Sequence, residues 1–171
     1  MRSEVIHGDS VFEQLANEWN ALSRQSATDT PFQHLAYQRA WWQHLQPPGA
    51  TLHTVALRDA AGALAGLACL YNLDGTLYFN GCVEETDYLD VIAAPEHAKA
   101  TWTAVFQTLC ADTLPSWHAI SLCNVPQASP SRQIVPRLAA QHGLTFAESI
   151  HEVCPVIPLP DSFDAYLDSI D

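Results

Sequence analysis

Lysine is almost absent from this chain. Lys99 is the only one in 171 residues, and the basic residues total 7 against 19 acidic ones, a formal charge of −12. Nucleic-acid binding needs clustered Lys and Arg to neutralise phosphates, and attraction to an anionic bilayer needs the same. Neither partner is expected. Long apolar runs are missing too. The longest, residues 63–71, contains Gly66, whereas a membrane-spanning helix takes about 20 apolar residues. Met1-Arg2-Ser3-Glu4 leads into an amphipathic pattern, not a signal-type apolar segment. No CxxC pair occurs, and the five cysteines, Cys69, Cys82, Cys110, Cys123 and Cys154, are odd in number. They are expected to be reduced core residues of a cytoplasmic protein, with no neighbouring base in sequence to activate a thiol.

Catalytic signatures are equally scarce. There is no HExxH and no GxSxG, so neither a zinc protease nor a serine-hydrolase elbow is present. His151 and Cys154 are three apart in an extended stretch, which turns them to opposite faces, and His118 and Cys123, five apart, share that problem. No metal site is expected. What the chain does have is apolar substance: 48% hydrophobic residues, five Trp and only 15% charged residues. That composition specifies a packed core and excludes a disordered tail. The length suits one domain, or a small two-layer domain plus a tail.

Periodicity predicts the elements. A short strand over residues 4–7 precedes a helix opened by a Ser10/Glu13 capping box, with Phe12, Leu15, Ala16, Trp19 and Leu22 on one face. A second helix covers residues 33–45 and stops at Pro47-Pro48-Gly49. Strands are expected over 52–58 and 63–71, the second covered on both faces, then a hairpin at Asp74-Gly75 into a strand over 76–80. Glu84 and Glu85 fall in a solvated loop, and residues 88–94 read as another strand. A helix from Pro95 to about residue 110, a strand over 117–123 and a helix over 131–142 capped by Gly143 follow. Residues 144–159 are extended, and Ser162 caps a last helix with Phe163, Tyr166, Leu167 and Ile170 apolar. The order gives an α/β fold with a mixed sheet and helices on both faces.

Asp87, Tyr88 and Asp90 are the candidate substrate-binding residues. In a strand Tyr88 and Asp90 share a face, leaving Asp90 as a carboxylate in an apolar stretch. It is read either as a perturbed base or amine ligand, or as a carboxylate satisfied by backbone donors. Trp42 joins them as an aromatic shelf, with core packing as the alternative reading, since of the adjacent Trp41 and Trp42 one is expected to face the core and the other solvent or an interface.

Four segments in order carry a resemblance: Thr30-Pro31-Phe32-Gln33 with Trp41-Trp42; Gly66-Leu67-Ala68-Cys69-Leu70-Tyr71; Leu77-Tyr78-Phe79-Asn80-Gly81 with Thr86-Asp87-Tyr88-Leu89-Asp90; and residues 162–170. Together they resemble the N-terminal half of GNAT-superfamily acyltransferases of the BioF2-like, cellulose-biosynthesis CelD type, relatives of the tandem FemAB transferases. The resemblance implies a GNAT-like, mostly antiparallel central sheet over residues 1–160. It implies that residues 161–171 begin a helix leading to a second half, with which the chain pairs unless it self-associates. It further implies acyl transfer to a small amine acceptor, with acyl-CoA as the donor of the full-length family. In GNAT enzymes a glycine-rich loop cradles the CoA pyrophosphate at a helix start. The matching junction here, Ile92-Ala93-Ala94-Pro95-Glu96-His97, has no glycine, so no cofactor is assigned to this chain and donor binding is expected in the second half. The alternative is a non-catalytic binding module that keeps the fold.

Overall fold

The computed structural model describes residues 1–82, 85–111 and 114–170. Its centre is a six-stranded sheet. Strands β1 (Arg2–His7), β2 (Thr51–Arg58), β3 (Leu64–Leu73) and β4 (Thr76–Phe79) lie side by side and antiparallel, and β6 (Ala119–Ser121) joins the edge of β4 in parallel. The two-residue β5 (Ile92–Ala93) pairs with β3 at Leu67 and Gly66, while β4 pairs with the same strand from Leu70 to Leu73. One edge of β3 thus serves two partners in succession: Asn80 N–H still bonds Cys69 O at 2.9 Å, and residues 85–91 lie outside the sheet.

Helices α1 (Val11–Gln14), α2 (Ala16–Ser23) and α3 (Leu35–Leu45) follow β1; α4 (Pro95–Cys110) follows β5; α5 (Ser131–Gln141) follows β6; and α6 (Phe163–Ile170) ends the chain. Every residue of β3 from Ala65 to Asn72 is buried, as a strand covered on both faces must be. This is the expected mixed α/β architecture with a mostly antiparallel sheet. Asp74 and Gly75 both take positive φ, the requirement of the two-residue hairpin their sequence announced. Gly66 has a different reason. A Cβ there would meet Thr101 Oγ1 at 2.0 Å, so the missing side chain is what lets α4 lie down on β3. Trp102, Phe106 and Leu109 of α4 are then buried in the core, each large apolar side chain contributing about 1.5–3 kcal/mol on the transfer scale.

Several local expectations are corrected. The capping box does not form: Ser10 Oγ accepts from Gln14 Nε2 at 3.1 Å and makes no cap bond, and the helix breaks at Leu15, which leaves helical geometry as it enters the core. The strand expected over 88–94 shrinks to β5, and that over 117–123 to β6. Both Trp41 and Trp42 are buried, because both rings pack on Tyr71, at centroid distances of 5.7 and 6.3 Å. The cysteines are not uniformly reduced core residues. Cys82 and Cys123 form a disulfide, Cys110 and Cys154 are exposed, and only Cys69 is a free buried thiol, pushed up to about 12 by burial. The inference of a reducing compartment from the cysteines therefore loses its ground. Among the described residues no helix is long and apolar enough to cross a membrane.

Candidate functional site

Residues 85–91 are irregular because their polar groups find partners outside the sheet. Tyr37 on α3 donates its hydroxyl to Glu85 O at 2.7 Å, Asn124 Nδ2 donates to Thr86 O, and Leu89 N–H donates to Asn124 O at 3.0 Å. Gln33 Nε2 donates to Asp90 O at 2.7 Å. With these bonds made to side chains and to a neighbouring loop, a strand ladder is not needed to satisfy the backbone. Gln33 is itself a hub. Its carbonyl accepts from Trp19 Nε1 at 2.8 Å and its side-chain oxygen from Thr28 Oγ1 at 2.7 Å, so α2 and the 85–91 segment are fastened through one buried glutamine. Gln38 and Asn80 make a similar buried pair, joined by the Asn80 Nδ2 donation to Gln38 Oε1 at 2.9 Å.

Asp90 and Tyr88 do not share a strand face. Tyr88 sits at φ +55 with its ring exposed, Asp87 is exposed beside it, and Asp90 turns inward and is buried. The Asp90 carboxylate accepts from Val91 N–H at 2.8 Å and from the hydroxyls of Ser129 and Ser131. Ser131 Oγ in turn accepts from Trp102 Nε1 at 2.6 Å. This network ties the residues before β5 to the first turn of α5 and to α4. Burial pushes the Asp90 pKa up, and the two seryl hydroxyls and the Val91 amide pull against that shift. The Tyr88 hydroxyl is raised as well, first by its hydrogen bond with the Cys154 thiol of the exposed segment 144–159. Trp42 lies in the core and lines no part of the surface described next. Glu85 is exposed, as a loop residue should be; Glu84 lies outside the described residues.

Above the Asp90 network opens a cleft of about 700 Å³, bounded by Ala27, Pro95 and residues 127–130, with Arg132 and Gln133. It lies between the starts of α4 and α5. Both starts are poor in free donors: Pro95 and Pro130 have no N–H, and His97 N–H is spent on Ala94 O at 2.8 Å. Arg132 is engaged with Glu148 and with Gln127 O. A second cavity of about 10 Å³, lined in part by Gln33, Cys69, Asn80 and Asp90, marks the point where β4 and β5 separate.

The chain matches no protein-family model and no curated protein. Solved structures do give likenesses. The fold is similar to those of N-acetyltransferases. An aminoglycoside acetyltransferase from an uncultured soil metagenomic sample is 17% identical with a TM-score of 0.49, over 92% of this chain and 100% of that one. An aminoglycoside 6'-N-acetyltransferase from Acinetobacter baumannii is 12% identical at 0.46, over 92% and 100%. A ribosomal-protein-alanine N-acetyltransferase from Brucella melitensis biovar Abortus 2308 is 16% identical at 0.45, over 91% and 100%. These are likenesses of shape, and no residue role passes from them to this chain.

Sequence reasoning singled out Asp87, Tyr88 and Asp90 as neighbours, and they remain neighbours on one loop. It missed Ser129 and Ser131, whose signal was only a Ser-Pro-Ser at the start of a helix, and Gln33, which stood inside a quoted motif without a role. It also missed a base beside a free thiol: His142 Nδ1, just past the end of α5, lies 3.4 Å from Cys110 Sγ.

Proposed function

We propose that this chain is a GNAT-like acyltransferase domain of the tandem kind, an N-terminal half that offers an acceptor cleft while the acyl donor is held by a second half. The reading rests on the ordered sequence resemblance and on one structural observation, the start of α4. A pyrophosphate is held by several backbone N–H groups converging at a helix start. Here the first residue has no N–H, the third is already bonded, and the second, Glu96, brings a carboxylate into the same turn. The cleft at that place fits a small amine better than a polyanion. A chain of charge −12 draws cations toward it, and Asp87 stands exposed on the neighbouring loop. In this reading Asp87 and Tyr88 contact the acceptor at the rim, and Asp90 holds the cleft floor from beneath. Trp42, committed to the core, supports the sheet and not the ligand.

Calorimetric titration at low salt tests the assignment, with coenzyme A, acetyl-CoA and a panel of primary amines run in parallel. The expected result is heat from cationic amines, weakened in Asp87→Asn, and none from either CoA species. Micromolar CoA binding with its pyrophosphate at the start of α4 would overturn the division between acceptor and donor halves.

A further inference from the structure

At the end of β1 two histidines separated by 46 positions in sequence meet. His7 and His53 are register partners across β1 and β2. The next pair, Gly8 and Leu52, is joined by the Gly8 N–H to Leu52 O bond at 2.9 Å. His7 and His53 therefore form the alternate, non-hydrogen-bonded kind of antiparallel pair, in which side chains come closest. Their Nδ1 atoms lie 2.9 Å apart, with the rings edge to face. The other nitrogen of His53, Nε2, lies 2.9 Å from Thr51 Oγ1. His53 is buried, whereas His7 is exposed and able to turn its ring.

From this geometry we infer a two-histidine chelate for a divalent transition-metal ion that accepts square or octahedral geometry, with Cu²⁺ or Ni²⁺ as the occupant. Ligand nitrogens about 2.0–2.1 Å from a metal are about 2.8–3.0 Å apart at a right angle and about 3.3 Å apart in a tetrahedron, so the observed separation suits the former. The Thr51 contact supplies what an imidazole ligand needs behind it. When Nε2–H donates to Thr51 Oγ1, the tautomer is set and the Nδ1 lone pair of His53 is free for metal. His7 contributes its Nδ1 once its proton sits on the solvent-facing Nε2. No group of three His, Cys, Asp or Glu side chains gathers among the described residues, so water completes the coordination. A metal here would clamp β1 onto β2 at the open end of the pair.

Copper chloride, and separately nickel chloride, titrated into the full chain at pH 7.5 in a non-coordinating buffer tests this. One Cu²⁺ per chain is expected, with a paramagnetic resonance spectrum showing two imidazole nitrogens and a rise in the thermal midpoint. His7→Ala, an exposed change on an edge strand, weakens binding at least about tenfold, as loss of a ligand should. His34→Ala, which removes a histidine paired with Asp29 instead, leaves binding unchanged. Wild-type affinity in both His7→Ala and His7→Gln, or a spectrum with a single nitrogen, would reduce the pair to a hydrogen bond and end the proposal.

Discussion

Asp90 and His53 are buried ionisable side chains whose protonation the fold disturbs, and they act on stability in opposite senses. Asp90 accepts hydrogen bonds from Val91 N–H, Ser129 and Ser131, and its acid form is favoured by burial. Asp90→Asn keeps an acceptor for Val91 and Ser131 and removes the buried charge, so its stability should stay near that of the wild type at neutral pH. Asp90→Ala strands those donors, at about 1–3 kcal/mol. Urea melts of the pair check this, and an Ala variant as stable as Asn would show that the network bears no strain of the fold. The raised pKa of Asp90 favours folding below its ordinary value of 3.8, and that gain is lost as pH rises through the folded value. His53 runs the other way. Held at about 4 instead of 6.5, it binds more protons unfolded than folded between those values. Its contribution is complete above pH 6.5 and fades toward pH 4, by up to about 3 kcal/mol. Stability measured at pH 7.5, 6 and 5 should fall in that order, and the fall should flatten in His53→Gln.

At the scale of elements, α4 is the piece whose seat depends on a single missing atom group. Gly66→Ala drives a Cβ to 2.0 Å from Thr101 Oγ1 and 3.0 Å from Thr101 Cγ2. Overpacking of this kind costs about 1–3 kcal/mol. Thr101→Ala in the same chain removes both of those atoms, so the double variant should recover most of the loss. Thermal unfolding of the two singles and the double decides it, and purely additive losses would mean that α4 is held elsewhere. The long, strongly periodic elements α3, α4, α5, β2 and β3 were legible from apolar spacing and from the prolines and glycines at their ends. The 85–91 loop was not. Its residues alternate like a strand, yet Tyr37, Gln33, Asn124 and the two serines outbid β3 for its polar groups, and all of them are distant in sequence.

The whole molecule carries a feature at odds with its charge. From residue 144 onward little is covered: Ile150, Val156 and Leu159 are more than four-fifths exposed, and α6 buries no residue at all. Phe163, Leu167 and Ile170 are exposed along that helix. An apolar stripe of this kind is an interaction patch, and it is expected to draw copies of the chain together against the repulsion of a −12 charge. Light scattering should show mass rising with concentration, and rising further in salt, which screens the repulsion. Phe163→Asp with Leu167→Asp should return the chain to a monomer. A wild type that stays monomeric at every concentration would refute the expectation.

What the sequence determined by itself is what local chemistry determines. The hairpin at Asp74-Gly75, the start of α4 at Pro95, the fully covered β3 and the acidic surface all follow from the residues at those positions or a few away. The candidate site is different. Asp90 was visible as an odd carboxylate among apolar neighbours, but its partners Ser129 and Ser131 come from a helix start about 40 positions later. The Cys82–Cys123 bond, the Cys110–His142 contact and the His7–His53 pair likewise join residues 41, 32 and 46 positions apart. Spacing along the chain reports which face of an element a residue occupies. It does not report which distant element that face will meet, and only packing in three dimensions decides this, because the sheet and its helices bring such residues together as one core is buried.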